Sequence, residues 1–387
     1  MRVDEMVLED FRNYGRESAA FAGGLNLVVG RNAQGKTNLL EAIHCLGGLG
    51  SPRAENAALV RRGAATALIH ADLTRKERPL HVDLEIRPGR GTRALVNRSA
   101  VSRTSALTEF VVTVFFGPDE LSLVKGSPDG RRRFLDELVV KLRPARDALR
   151  RELDRVLRQR NALLRSLAKG SGSGAEGLEV WDAALVRAGS AVASARLETL
   201  RDLLPHVRRR YEEIAGRGRL ELVYTSSWLP EDAGRRIVTD GGAIDEATLS
   251  AGITARLHEL RRAELERGTT LVGPQRDDVS VQLGSGADGT EMMDARTFAS
   301  QGDQRTCALA LKLAERDLLA ASLDDDPILL LDDVFSELDP HRRAWLSDAV
   351  RGAGQTIVTS AEPLALESLK ADGLIEVVEG AIGVPAS

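Results

Sequence analysis

Aromatic side chains make up only 4% of this chain, and no Phe or Tyr alternates with arginine in its basic stretches. That argues against a base-stacking platform for single-stranded nucleic acid. Two cysteines, Cys45 and Cys307, cannot build a disulfide framework, so a reducing compartment is expected. The six histidines, at 44, 70, 81, 206, 258 and 341, show no metal-ligand spacing, and structural or surface roles are expected for them. No run reaches the ~18 uninterrupted apolar residues that a membrane span needs. Met1 to Asp10 carries no apolar signal core, so a cytoplasmic location without membrane contact is expected. The net charge of −4 alone points to no partner.

What is present is local and specific. Gly30-Arg31-Asn32-Ala33-Gln34-Gly35-Lys36-Thr37 has every fixed position of a Walker A phosphate loop. The apolar run Leu25, Leu27, Val28 and Val29 precedes it as a strand would. Leu39, Leu40, Ala42, Ile43 and Leu46 follow at helical spacing. A strand-to-helix turn is the context this chemistry requires, because phosphates are held by backbone N–H groups and a helix N-terminus. Gly30 and Gly35 let the backbone wrap closely. Lys36 is placed to reach the β- and γ-phosphates of ATP, and the Thr37 hydroxyl to bind Mg²⁺.

Much later, Pro327-Ile328-Leu329-Leu330-Leu331-Asp332-Asp333 reads as a buried strand ending in two carboxylates. Asp332 is the expected Mg²⁺ ligand and Asp333 the group that polarises the attacking water. The other reading of this pair is a helix N-cap.

Ser336-Glu337-Leu338-Asp339 follows directly, and Ser300-Gln301-Gly302-Asp303-Gln304-Arg305 precedes a long apolar-periodic helix. With these, the chain resembles the ABC-type ATPases of the SMC class and, within them, the bacterial RecF-type recombination family. Ser300 to Arg305 is similar to that class's signature motif, and Ser336 to Asp339 to its D-loop. Leu8 to Tyr14 resembles the first strand and a nucleotide-contacting turn, which adds Arg12 and Asn13 to the expected ATP contacts. Phe116 to Asp119, Gly126 to Pro128, Arg131 to Asp136, Gln159 to Asn161 and Gly273 to Asp278 also match. The likeness runs from about residue 1 to 360. There are departures. Gln275 stands where many relatives carry His, and Asp333 is Asp rather than the Glu common in transporters, as is usual in this family. The strand Gln355 to Ser360 ends without a switch histidine, and no Q-loop glutamine is identified. These departures imply slow turnover.

The long gap between the two Walker motifs holds an insertion. Ala67 to Leu73, Leu80 to Ile86 and Ala94 to Val96 predict a β-meander with a Pro88-Gly89 turn. Leu149, Leu153, Val156, Leu163 and Leu167, with Arg160 at one seam position, predict a helix over about 145–168. A second helix is predicted over about 180–215, with Trp181, Leu185, Ala188, Val192, Leu200, Val207, Tyr211 and Ile214 on its seam. Gly170 to Gly177 between them predicts a flexible tip. The pair reads as a short antiparallel coiled coil, an arm of about 36 Å. Ser280 to Leu283 and Glu291 to Met293 predict a hairpin. The expected fold is therefore α/β: an ABC/SMC-type P-loop ATPase head with a mixed sheet and an inserted helical arm. Its expected parts are a first head segment at 1–130, an arm lobe at 131–225, a second head segment at 226–380 and a tail at 381–387.

Charge is uneven. Residues 131–169 carry 13 Lys/Arg against 5 Asp/Glu, and 87–103 carry 5 Arg and no acid. Such surfaces attract phosphate backbones. Arg131, Arg132 and Arg133 are candidate duplex contacts, without base readout. The other reading is that the arm arginines pair along their own helix with Asp147, Glu152 and Asp154.

The resemblance implies a mechanism and partners. Ser300 and Gly302 of one subunit would cover the γ-phosphate held by Lys36 of another, with Asp339 near the seam. ATP would drive a homodimer that clamps duplex, gapped or junction DNA, and slow hydrolysis to ADP and phosphate would release it. RecR- and RecO-type mediator proteins, recombinase loading and SOS induction belong to the same expectation. The rival readings are a transporter ATPase subunit, which normally lacks such an arm, and an ATP-binding scaffold without turnover.

Overall fold

A computed structural model of the chain describes residues 1–169, 176–216, 218–230, 233–239, 245–285, 291–361 and 370–383. The Gly/Ser run at 170–175, the hairpin tip at 286–290 and the end of the expected tail at 384–387 lie outside them.

The chain divides into two compact units, 1–120 with 309–387, and 121–308. The first unit opens with β1 (Arg2–Phe11), β2 (Tyr14–Ala20), β3 (Leu25–Val29), β4 (Ala67–Arg75), β5 (Arg78–Arg87), β6 (Gly91–Val96), β7 (Ser99–Ala100) and β8 (Thr113–Phe116). The second unit supplies β9 (Leu220–Thr225), β10 (Asp278–Ser285) and β11 (Glu291–Asp294). The chain then returns with β12 (Ile328–Asp332), β13 (Thr356–Ser360), β14 (Gly373–Val378) and β15 (Ala381–Gly383).

Two six-stranded sheets build the first unit. One is antiparallel, in the order β2-β1-β4-β5-β6-β7. It contains the expected meander. Ala67, Ile69, Ala71 and Leu73 of β4, and Leu80, Val82, Leu84 and Ile86 of β5, are buried, while the alternate residues face outward. That alternation is the signature of a sheet packed on one face only. A register shift between Val3 and Glu5 breaks the alternation in β1, so Val3 and Met6 both point inward.

The other sheet has the order β15-β14-β3-β13-β12-β8. It is parallel except for β15. Its strands β3, β8, β12 and β13 are buried along their whole length. Continuous apolar runs are what a sheet covered on both faces needs. The helix Lys36–Cys45 packs against strands of both sheets, with Leu39, Leu40, Ala42 and Ile43 in the shared core. The expected tail at 381–387 begins as a strand, because Ala381–Gly383 pairs with β14.

In the second unit the predicted helical hairpin is Asp147–Ala168 and Glu176–Ala215, and the two helices pack together. A third helix, Glu246–Arg267, packs against both. The seam arginine explains part of this. Arg160 is fully buried, with its guanidinium donating to Asp182 at 2.8 Å, Glu264 at 2.6 Å and Thr270 at 2.9 Å. One residue thus ties all three helices, and its charge is satisfied rather than orphaned. The three-stranded sheet β11-β10-β9 and the helix Pro128–Leu142 belong to the same unit. The compact units consequently part at 120/121 and 308/309, and the expected boundary at 130/131 falls inside the helix Pro128–Leu142.

Among the described residues, no helix is long and apolar enough to cross a membrane.

Candidate functional site

The parallel strands β3, β13, β12 and β8 end on one edge of their sheet. β13 separates β3 from β12, so the loops after those two strands face a common crevice. The carboxyl edge of such a sheet is where open α/β folds hold ligands.

The loop after β3 is built for close approach. Gly30 has φ 153°, and a Cβ there would lie 2.2 Å from the Val377 carbonyl oxygen. Gly35 has φ 123°, and its Cβ would crowd the Asn13 amide and the Tyr14 hydroxyl. Only glycine meets both demands. Lys36 opens the helix Lys36–Cys45, and its Nζ donates to the carbonyls of Gly30 at 2.7 Å and Arg31 at 2.9 Å. Burial lowers the Lys36 pKa, and the carboxylates Asp333 and Asp332 oppose that shift. The ammonium is thus held inside the loop on two neutral oxygens that an anion can replace. Arg31, Asn32 and Ala33 are exposed at the rim, and Gln34 is half-buried.

Thr37 and Asp332 meet, although 295 residues separate them. The Thr37 hydroxyl donates to Asp332 Oδ1 at 2.8 Å. Thr359, at the end of β13, donates to the same oxygen at 2.8 Å, and its Oγ1 accepts from the Asp333 N–H at 2.9 Å. Asp332 is buried, and that burial raises its pKa against the hydrogen bonds from Thr359 and Thr37. Asp333 takes φ 51°, turning the chain sharply out of the strand. The N-cap reading of this pair does not hold, because Asp339 caps the next α-helix, Pro340–Arg351. Threonine and carboxylate oxygens side by side are the donor set of an octahedral, oxygen-seeking ion such as Mg²⁺.

The first β-turn braces this loop. Asn13 Nδ2 donates to the Gln34 carbonyl at 2.9 Å and Asn13 Oδ1 accepts from Asn38 at 2.7 Å. The Tyr14 hydroxyl donates to the Gly35 carbonyl at 2.8 Å. Arg12 is held elsewhere. Its guanidinium forms two 2.7 Å hydrogen bonds with Glu41 and one of 2.9 Å with the Ala58 carbonyl. Glu41 is fully buried and also paired with Arg53 and Ser51. Burial pushes its pKa up, but the hydrogen bonds from Arg12 and Ser51 and the Arg53 charge outweigh this and hold it below the usual value. The Gly380 N–H donates to the Gln34 carbonyl at 3.0 Å, which binds the end of β14 to the loop. Tyr14, Glu41, Arg53 and Thr359 are the site residues that sequence reading missed. Glu41, Arg53 and Thr359 belong to none of the motifs that carry the resemblance, and Tyr14 ends the Leu8 to Tyr14 stretch, where only Arg12 and Asn13 were given a role.

The D-loop residues follow Asp333. The Ser336 hydroxyl donates to the Asp333 carbonyl at 2.8 Å, and Asp339 Oδ1 accepts from the Arg342 N–H at 3.0 Å. In the second unit, Ser300 caps the helix Gln301–Leu323. Its hydroxyl donates to Asp303 Oδ2 at 2.7 Å and accepts from the Asp303 N–H at 3.2 Å. Gln304 is buried, with its amide on the Ala295 and Arg296 carbonyls. Ser300 and Gln301 are exposed, while Gly302, Asp303 and Arg305 are half-buried. The capped N-terminus of this helix thus lies at the surface, with the Asp303 carboxylate in its first turn.

Within the arginine triplet Arg131 is corrected, while Arg132 is half-buried and Arg133 exposed. Arg131 is buried and bidentate to Asp278, with both hydrogen bonds at 2.8 Å. Arg132 donates to the Asp277 carbonyl at 2.6 Å and pairs with Asp129, and Arg133 pairs with Glu137 at 2.7 Å. Arg131 in particular is not presented to any phosphate backbone. The arm arginines follow their helix-pairing reading, with Arg151 on Asp147 and Arg155 on Glu152. The other basic stretch differs. Arg90, Arg93, Arg98 and Arg103 are all exposed, and none pairs with a carboxylate among the described residues.

The RecF/RecN/SMC N terminal domain family matches residues 2–382. The chain is 43% identical over 381 residues to the DNA replication and repair protein RecF of Beutenbergia cavernae, covering 93% of this chain and 94% of that protein. It is 41% identical over 364 residues to the protein of the same name from Acidothermus cellulolyticus, at the same coverage. A solved structure of the recombination mediator protein RecF with ATP, in the RecFOR pathway, matches with a TM-score of 0.88 at 26% identity over 99% of this chain and 97% of that one. An Smc head bound to the C-winged helix domain of ScpA matches at a TM-score of 0.55 and 14% identity, a likeness of fold alone. The phosphate loop, the carboxylate strand beyond it and the inserted helical lobe thus sit in an SMC-type head, and the chain belongs to the RecF family of DNA replication and repair proteins.

Proposed function

We propose that this chain binds ATP and Mg²⁺ at Gly30–Thr37, closes with a second copy of itself on DNA, and acts in recombinational repair and the processing of gaps and stalled forks. The observation that carries the reading is the meeting of Thr37 with Asp332 beside the Lys36 ammonium. Two oxygen ligands and one cation around a glycine cradle suit a triphosphate and its metal better than any other small ligand. The relatives' names, DNA replication and repair and the RecFOR pathway, support the cellular setting.

In this reading Lys36 leaves the Gly30 and Arg31 carbonyls for the β- and γ-phosphates. Thr37 and Asp332 would hold Mg²⁺, which would neutralise phosphate charge. Asp333 orients the attacking water. Ser300 and Gly302 of the partner close over the γ-phosphate through their exposed helix N-terminus, with Asp339 near the seam. Because only ATP offers that phosphate to both subunits, ADP does not support the dimer. Arg90, Arg93, Arg98 and Arg103 supply the backbone contact to duplex or gapped DNA in place of the paired Arg131. Mediator proteins of the RecR and RecO type are the expected partners, and recombinase loading with SOS induction the expected outcome.

The test is phosphate release from ATP with and without duplex DNA, in the wild type and in Lys36→Ala. The expected result is slow release, stimulated by DNA, and loss of both release and ATP binding in the variant. ATP binding without release under any condition would favour a scaffold that recruits mediators over a DNA-stimulated ATPase.

A further inference from the structure

The outward face of β4 and β5 carries four side chains that the nucleotide chemistry does not use. The antiparallel register sets His70 opposite Asp83 and Asp72 opposite His81. His70 Nδ1 lies 2.6 Å from Asp83 Oδ1, and His81 Nε2 lies 3.0 Å from the same oxygen. The nitrogen ligand atoms of both rings and a carboxylate oxygen of Asp83 all fall within 4.8 Å of one another. Asp72 Oδ1 lies 2.7 Å from the far ring nitrogen, His81 Nδ1. Sequence spacing hid this group, because its members become neighbours only when the two strands pair.

We propose that His70, His81 and Asp83 form a surface site for a divalent transition-metal ion of the Zn²⁺ class, with Asp72 orienting His81. Ligand chemistry makes the choice of ion. Two imidazoles and one carboxylate suit Zn²⁺, Co²⁺ or Ni²⁺, whereas Mg²⁺ and Ca²⁺ take oxygen. A tetrahedral ion at about 2.0–2.1 Å from each ligand needs its donors about 3.3 Å apart. The two separations to Asp83, 2.6 and 3.0 Å, lie just below that spacing, and all three donors fall within 4.8 Å of one another. Asp72 supplies the outer partner typical of a metal-bound histidine. Accepting the Nδ1 proton leaves the Nε2 lone pair of His81 facing Asp83. His70, His81 and Asp83 are half-buried, so the ligands are partly ordered while a coordination position stays open to water. The surrounding face adds Glu5 of β1 opposite Asp72 and Leu95 of β6 opposite Asp83, and neither blocks that position with a positive charge.

The experiment is calorimetric titration of the nucleotide-free, chelator-treated full chain with Zn²⁺, followed by Co²⁺ absorption spectroscopy. Wild type is expected to bind one Zn²⁺ per chain at this site and to show nitrogen-ligated tetrahedral Co²⁺ bands. His81→Ala and Asp83→Asn are expected to lose both signals, and Asp72→Asn to weaken Zn²⁺ binding by about 10–100-fold. Thermal melting checks that each variant folds, and Zn²⁺ should raise the melting temperature of the wild type but not of His81→Ala. Should one variant fail to fold, the other carries the test. Asp332→Asn is expected to keep the Co²⁺ bands, which separates this site from the phosphate loop. The idea is overturned if wild type binds no Zn²⁺, which would make the cluster a set of cross-strand His–carboxylate pairs. It is equally overturned if His81→Ala and Asp83→Asn bind as wild type does.

Discussion

Asp332 is placed by two threonines, and only one of them belongs to a recognisable motif. Thr37 comes from the phosphate loop, while Thr359 reaches in from β13, and both hydroxyls donate at 2.8 Å. Thr359 also accepts the Asp333 N–H, so it sets the turn that carries both acids. A hydrogen bond to a charged group is worth about 1.5–3 kcal/mol. Thr359→Val, which keeps the shape of this fully buried residue, is therefore expected to weaken Mg²⁺-dependent ATP affinity by about tenfold or more. Nucleotide titration with and without Mg²⁺ reads this, and equal affinities would mean that Asp332 needs no help from β13. At this scale the sequence was legible where chemistry is contiguous. Gly30 to Thr37 announces itself because eight neighbouring residues share one task. Thr359, Tyr14 and Glu41 do not, because each acts on a group brought to it by the fold. Arg131 misled for the same reason, since its partner Asp278 lies 147 residues away.

Elements whose burial follows a simple period were readable. β4 and β5 alternate cleanly, and the predicted arm helices are present with Leu153, Val156, Leu185 and Val207 buried. The helix Glu246–Arg267 was missed, because its inward face is Leu249, Ile253, Leu257 and then Glu264, a charge where a seam residue is expected. That glutamate is the partner of buried Arg160, so the polar cluster masks the pattern it completes. A second buried polar element joins β9 and β10. Asp277 accepts from the Tyr224 hydroxyl at 2.6 Å and from the Trp228 indole at 2.9 Å, and burial raises its pKa to about 6. The unfolded value is about 3.9. Between these values the folded chain holds a proton that the unfolded chain has lost, so this group's contribution to stability falls as pH rises from about 4 to 6. Asp277→Asn removes that dependence. Chemical denaturation at both ends of the window should show the variant gaining on wild type by about 2–3 kcal/mol as pH rises. A constant difference between the two proteins would show that Asp277 titrates normally.

For the whole molecule, the proposed DNA contact rests on surface charge rather than on composition. Net charge is −4, yet Arg90, Arg93, Arg98 and Arg103 stand exposed, and none forms an ion pair with a carboxylate among the described residues. Replacing all four with Ala is expected to weaken duplex binding and to flatten its dependence on salt, by a slope of about 1 for each phosphate no longer neutralised. Arg131→Ala should instead cost about 3 kcal/mol of stability by stranding Asp278, with the salt slope unchanged. Binding measured across salt concentrations separates the two, and an unchanged slope in the fourfold variant would move the DNA surface elsewhere. The overall class was legible because its motifs lie in separate parts of the chain and still match one family from residue 2 to 382. Which surface charges remain unpaired was not legible, since pairing depends on distances that sequence does not carry.

The central claim is that ATP joins two copies through Ser300, and the solution mass tests it most directly. Light scattering would be recorded with ATP, ADP or no nucleotide, with and without gapped duplex, for wild type and Ser300→Ala. Losing the Ser300 cap costs the helix only about 1 kcal/mol, so the variant should fold and bind ATP. The account predicts a dimer for wild type with ATP alone, strengthened by DNA, and a monomer for Ser300→Ala under every condition. A wild-type monomer that binds ATP and DNA, or a variant that dimerises normally, would contradict it.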